Sequence, residues 1–284
     1  MKALKFLIAA AATAAVANAQ ATVVTYNDFS NTSGLTTVGS AAATTTADGK
    51  VMRLTPDAGW NSGAVYSSSA VQLGANATFS TTFQFRFTGN SQPADGMAFV
   101  LAASPNGLGV GGGGIGYQGV QNAFVIEFDT YDNGGWDGFS ANHVGISTNG
   151  STATTWNSDV YQRTECYGMG SDIGCMSNGA LWTVTIQYDG AKLSMSMRDE
   201  TMPVDFTPYP SLAIDIASVL GTNQAYVGFT SATGAASQNH DLLNWTFADT
   251  AELPVDVLEP GSMWMLGLGM VGLAAGKRLA KRRG

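Results

Sequence analysis

The sequence predicts an all-β protein, an antiparallel β-sandwich or jelly roll. Three observations carry this. Residues 79–87 put Phe at most odd positions and polar side chains at the even ones, the period of a strand with one dry and one wet face. Further short runs rich in β-branched and aromatic residues recur along the chain, with turn residues between them. No long amphipathic helix and no internal repeat interrupts the pattern.

In chain order, a strand is expected over 22–29, a second strand region over 63–68 and 71–73, and then the alternating run. Pro93-Ala94-Asp95-Gly96 turns into an apolar strand at 97–101. Residues 107–116 are dominated by glycine. Gly109, Gly111 and Gly114 match a dinucleotide-binding spacing, but no helical pattern follows and no Gly-Lys-Ser/Thr is present. The stretch is read as a flexible loop whose backbone can approach a ligand closely. An apolar strand opens at Ala123, and a second one carries Val144 and Ile146. Residues 181–188 and 192–198 alternate on either side of Asp189-Gly190, the sequence of a type I′ hairpin. Residues 215–220 suit one helical turn. The last two strands, 226–231 and 242–247, are joined by the polar loop 232–240.

The ends of the chain read differently. Lys2 and Lys5 precede an apolar run that ends in Ala17-Asn18-Ala19, the form of a secretory signal over 1–19. Residues 20–250 suit one large β domain. Over 251–284 a linker leads to the uncharged stretch 261–276 and then to Lys277, Arg278, Lys281, Arg282 and Arg283. That stretch falls short of the ~20 residues of a spanning helix, while the basic cluster supplies a positive-inside stop. Transient membrane association through 261–284 and a place at the cell envelope or outside it are expected. Between the ends, six basic residues face eighteen acidic ones, a net charge near −12. Nucleic-acid phosphates would be repelled. Cys166 and Cys175 stand nine apart in an exported chain, and a local disulfide is expected.

Candidate chemistry is concentrated between residues 122 and 149. Glu127 and Asp129 lie two apart on the apolar strand, hence on one face, and would repel each other without a cation between them. Oxygen ligands from Asp129, Asn133, Asp137 and a loop carbonyl suit Ca²⁺. The imidazole of His143 with Glu127, Asp129 and Asp137 suits Mn²⁺ or another transition ion. The spacing proposes two adjacent metals sharing two aspartates.

These residues, with Tyr131 and Trp136, resemble the metal-binding core of the legume-type (L-type) lectins. Ala94-Asp95-Gly96-Met97-Ala98-Phe99, Gly112 to Gly116, and the stretches 227–234 and 240–247 resemble further pieces of the same family, in the same order, over about 22–249. The resemblance implies a concanavalin A-like fold and non-catalytic binding of carbohydrate. It implies a transition metal held by Glu127, Asp129, Asp137 and His143. Calcium would be held by Asp129, the Tyr131 carbonyl, Asn133 and Asp137. The sugar would meet Asp95, Asn133, backbone near Gly113, the ring of Tyr131 and backbone donors of Ala235 and Ala236, with a cis Ala94–Asp95 bond. Glu259-Pro260 and the tail behind it resemble the PEP-CTERM sorting signal of Gram-negative bacteria, with Leu258 where the first proline usually stands.

The competing reading is a glycoside hydrolase on the same kind of jelly roll. Glu127, Asp129 and Asp132 approximate the Glu-x-Asp-x-x-Glu strand of one such family, and a retaining mechanism needs its two carboxyls ~5 Å apart. That reading leaves His143 idle.

Overall fold

The structure is a computed structural model that describes residues 22–89, 92–105, 107–136, 140–151, 175–202 and 205–253. Among the described residues fifteen strands run in order: β1 (Val23–Tyr26), β2 (Leu35–Gly39), β3 (Ala42–Thr46), β4 (Gly49–Thr55), β5 (Ser62–Ser67), β6 (Val71–Gln72), β7 (Phe79–Thr88), β8 (Gly96–Ala102), β9 (Ala123–Asp129), β10 (His143–Thr148), β11 (Leu181–Tyr188), β12 (Lys192–Asp199), β13 (Asp205–Ala213), β14 (Gln224–Ala232) and β15 (Asn239–Ala248). One short helix, α1 (Ile216–Leu220), precedes β14 and is capped by Asp215, whose carboxylate accepts from Ser218 N.

The strands form two antiparallel sheets packed face to face. The first is ordered β13-β12-β11-β7-β15-β4-β3 with β1 added to β15; the second is ordered β10-β9-β8-β14-β5-β2 with β6 added to β14. The alternation of residues 79–87 gives β7, in the middle of the first sheet, one face in the core and one outside. Phe79, Phe83, Phe85 and Phe87 point into the sandwich, while outside Gln84 donates to Thr183 Oγ1 and accepts from Asn244 Nδ2. The inward rings interlock across the sheets: Phe83 meets Phe229 edge-on at 4.9 Å between centroids, and Phe229 meets Trp245 at 5.4 Å.

Strands β8 and β9 of the second sheet are buried on both faces. Met97, Phe99, Leu101, Phe124, Ile126 and Phe128 face the inter-sheet core, and their neighbours Ala98, Val100, Ala123 and Val125 belong to a second cluster with Ile115, Tyr117 and Val120. The cover over that outer face is the glycine-rich segment, and here the expectation of a flexible loop is corrected. Val110 pairs with Gln118, Gly112–Gly114 forms a 3-10 turn, and Ile115 and Tyr117 are fully buried. Glycine serves close packing: a Cβ at Gly109 would overlap the backbone of Tyr117 and Gln118.

A second correction concerns the β11–β12 hairpin. It forms, but only Gly190 of its turn has positive φ, whereas a type I′ turn needs two such residues. Instead the Asp189 carboxylate accepts from Ala191 N and Lys192 N, an Asx-type turn.

Strands β2, β3, β4 and β13 carry no clear alternation in the sequence. β2 and β3 are rich in Ala and Thr, and β13 contains Pro208 and Pro210. Proline cannot donate to a ladder, and β13 accordingly lies at the edge of its sheet. Among the described residues no helix is long and apolar enough to cross a membrane. The expected signal over 1–19 and the tail over 254–284 lie outside the described residues.

Candidate functional site

The site grows from the register of three neighbouring strands. Asp129 is opposite Gly96 of β8 on one side and His143 of β10 on the other, and Glu127 is opposite Ala98 and Gly145. The two carboxylates take the outer face because Phe124, Ile126 and Phe128 take the inner one. All three ionisable side chains, Glu127, Asp129 and His143, are buried. His143 Nε2 lies 3.3 Å from Glu127 Oε1, and the Tyr117 hydroxyl donates to Glu127 Oε2. Asp129 Oδ1 accepts from Tyr131 N at 2.8 Å, which folds the chain back as it leaves the strand.

The arginines among the described residues pair elsewhere. Arg53 pairs with Asp241, Arg86 with Asp48, and Arg198 with Glu200 and Asp205. Two buried carboxylates beside an imidazole fit a divalent cation, since buried charge is otherwise costly. The span between His143 Nε2 and Glu127 Oε1 suits two donors sharing one ion. Among the described residues, however, no three His, Cys, Asp or Glu side chains are grouped closely enough to hold a metal. Asp137, expected in both metal sets, lies outside the described residues, as does Cys166; Cys175 is buried.

Beside the carboxylates is a cavity of about 220 Å³ lined by Trp60, Ala94, Asp95, Gly112, Gly113, Tyr131, Asn133, Gly234, Ala235 and Ala236. It brings together Asp95, Gly113, Tyr131, Asn133, Ala235 and Ala236, the six positions named from sequence for sugar. The Ala94–Asp95 peptide is cis. Asp95 N donates to Ala232 O, and Asp95 O accepts from Thr130 N, so the residue is tied to both β14 and the end of β9. At Gly113 a Cβ would overlap the amide of Asn133, which explains a glycine there. Asp132 is exposed, and its carboxylate accepts from Gly134 N at 2.6 Å.

Sequence reasoning missed two features. The first is Trp60, in the β4–β5 loop, whose ring is on the cavity rim; an isolated Trp between Gly59 and Asn61 was its only signal. The second is a buried hydrogen-bonded chain beneath the site. Ser231 Oγ donates to Gly96 O, so it accepts from Thr55, which accepts from His240 Nδ1–H. His240 Nε2 is left to accept from the Gln238 amide, which also donates to Thr130 Oγ1. Thr130 in turn donates to Asp95 O. Burial pushes the pKa of His240 down to about 3, so the ring is neutral at ordinary pH.

Known proteins resemble this chain in sequence and in fold. The chain is 33% identical over 192 residues to the seed lectin of Styphnolobium japonicum, covering 63% of this chain and 59% of that one. It is 28% identical over 194 residues to a lectin-like protein of Arabidopsis thaliana, covering 61% and 68%. It spans about a third of the Arabidopsis receptor kinase V.9, which contains an L-type lectin domain. Among solved structures, basic winged bean lectin with Tn-antigen superposes with a TM-score of 0.65 at 24% identity, covering 81% of this chain and 98% of that one. Peanut lectin superposes with a TM-score of 0.66 at 22% identity, with 81% of this chain covered and 97% of that one. These two likenesses establish the fold. The family model for the legume lectin domain matches residues 21–258, and the chain belongs to that family.

Proposed function

We propose that the chain is a non-catalytic lectin that binds carbohydrate in the cavity at Asp95, in a metal-dependent way. The observation that carries this is the meeting of Asp95, Gly113, Tyr131, Asn133, Ala235 and Ala236, drawn from four separate stretches of chain, around one cavity. The Asp95 carboxylate accepts from two vicinal hydroxyls, and charge-assisted bonds of this kind are the strong ones. The Asn133 amide donates its N–H, backbone near Gly113 and at Ala235 and Ala236 adds donors, and the Tyr131 ring faces the C–H side of the sugar.

Glu127, Asp129, Asp137 and His143 would hold a transition ion such as Mn²⁺. Asp129, the Tyr131 carbonyl, Asn133 and Asp137 would hold Ca²⁺. Bound there, the ions neutralise the buried carboxylates and orient the loop that presents Asn133. The hydrolase reading through Glu127, Asp129 and Asp132 lacks such support. Asp132 is exposed and turned to its own loop, and Glu127 is engaged by Tyr117 and His143.

Export through 1–19, a Cys166–Cys175 bridge and envelope sorting through 251–284 belong to the same reading. A buried Cys175 and the absence of a free cysteine among the described residues support the bridge.

A glycan array probed with the full-length chain, with and without EDTA, tests the proposal. Binding to a defined set of glycans, lost on chelation and restored by Ca²⁺ with Mn²⁺, is expected. Binding that survives complete metal removal would overturn the metal dependence, and no glycan bound by metal-loaded protein would overturn the lectin reading.

A further inference from the structure

Trp60 sits where a bulky aromatic residue is least expected. Its φ is +60°, in the left-handed region that β-branched and bulky residues avoid, and the residue is 81% exposed. The backbone around it is nonetheless tightly held. Trp60 N donates to Gly234 O at 2.9 Å, Asn61 N to Thr233 Oγ1 at 2.9 Å, and Thr233 N to Asn61 O at 2.8 Å. The Thr233 hydroxyl donates to Ala58 O, and the Asn61 amide to Ala58 O and Gly59 O. Gly59 approaches Gly234 O so closely that a Cβ would crowd it. The loop is thus stitched to the 233–236 turn that forms one wall of the cavity, and it holds an indole in water at the rim.

Trp60 and Tyr131 are both exposed aromatic residues, and both line the same cavity. An exposed indole on an unfavourable but over-determined backbone points to a ligand contact. Its occupant must continue outward from the polar floor made by Asp95 and Asn133. A pyranose presents a patch of C–H groups beside its hydroxyls, which suits a flat aromatic face edged by solvent.

We propose that Trp60 forms a second subsite, stacking on a pyranose linked to the one held at Asp95, so that the ligand is at least a disaccharide. This rests on the lectin reading above. It makes Trp60 a determinant of which linkage is accepted, because only a second ring directed toward the β4–β5 loop reaches it.

The test uses the metal-loaded full-length chain and its Trp60→Ala and Trp60→Phe variants, each checked for an unchanged unfolding transition. The probes are methyl and nitrophenyl glycosides of galactose, N-acetylgalactosamine, mannose and glucose, and disaccharides carrying each of these at the non-reducing end. For the wild type, one disaccharide should bind about tenfold more tightly than its methyl glycoside, as expected when a single Trp anchors a contact. Trp60→Ala should collapse that ratio toward one, and Trp60→Phe should retain part of it. Saturation with the disaccharide should also change a fluorescence component that the Trp60→Phe variant lacks. A ratio that survives Trp60→Ala, or a wild type that binds both probes equally, would overturn the subsite and leave the lectin reading standing. Enhancement only with a nitrophenyl glycoside would assign the ring to an aglycone and also overturn it. A wild type that binds no probe in the panel, nor any glycan on the array, would remove both readings together.

Discussion

The two faces of the second sheet are made by alternate residues of the same strands, yet they are built for opposite ends. On β9, Phe124, Ile126 and Phe128 turn inward to an aromatic core shared with the other sheet. Their neighbours Glu127 and Asp129 turn outward, on the side of a smaller cluster roofed by the glycine-rich segment, and their side chains are buried. The inner face is a source of stability, since fully burying a Phe contributes about 1.5–3 kcal/mol. The outer face carries carboxyl groups, and burying a carboxyl in charged form opposes folding unless something compensates. The lesson is that one strand can serve both roles because its side-chain period is two. Changes on the inner face should act on folding, and changes on the outer face on binding.

The largest expected effect breaks the inner face. Phe99→Ala leaves a cavity between the sheets and should cost about 3–5 kcal/mol of stability, with sugar affinity per folded molecule unchanged. Denaturant titration alongside calorimetry measures both. A loss below about 1 kcal/mol would mean that the sandwich core is not the main support.

Next comes His240, which sits in the hydrogen-bonded chain joining the first sheet to Asp95. Its folded pKa of about 3 lies below the ordinary value of about 6.5. Between those values the unfolded chain binds the proton and the folded chain does not. Stability is therefore full above about pH 6.5 and falls as pH drops toward about 3, by a few kcal/mol at most. Urea unfolding at intervals from pH 7 to pH 4 should show a shallower decline for His240→Gln than for the wild type. Equal slopes would refute a role for this ring in acid sensitivity.

Asp95→Asn acts on the outer face alone. It removes a charge and replaces an acceptor with a donor, and each charge-assisted bond lost weakens sugar binding by about 1.5–3 kcal/mol. The variant should keep its metals and its unfolding midpoint. A retained sugar isotherm would place the binding site elsewhere.

The smallest effect sharpens the same distinction. Gly113→Ala puts a methyl group against the Asn133 amide, and the shift it forces should weaken the sugar by about 1 kcal/mol, roughly fivefold. Stability should change little. Unaltered affinity would show that the Asn133 amide does not contact the ligand.

Much of the architecture was legible in the sequence, and the physical reason is locality. Strands such as β7, β9 and β15 announce themselves because alternation and β-rich composition are written in consecutive residues. The placing of Glu127 and Asp129 on one face, and of His143 at the start of the next strand, likewise needs only a strand period and a hairpin register. The cavity residues could be named because their local motifs resemble a known family in the same order. What the chain did not announce depends on partners distant in sequence. β13 is a strand only because an edge tolerates Pro208 and Pro210, and β2 and β3 are strands because neighbours supply ladders that Ala and Thr do not demand. The glycine-rich segment is ordered by Ile115 and Tyr117 packing on a sheet that its own sequence does not contain. Trp60 became a rim residue through hydrogen bonds to residues 233 and 234, some 170 positions away. The chain from Thr55 through His240 and Gln238 to Thr130 exists only where two sheets meet. Side-chain period and turn chemistry are properties of neighbours in sequence; convergence of walls, floors and buried polar chains is a property of packing, and only the tertiary structure decided it.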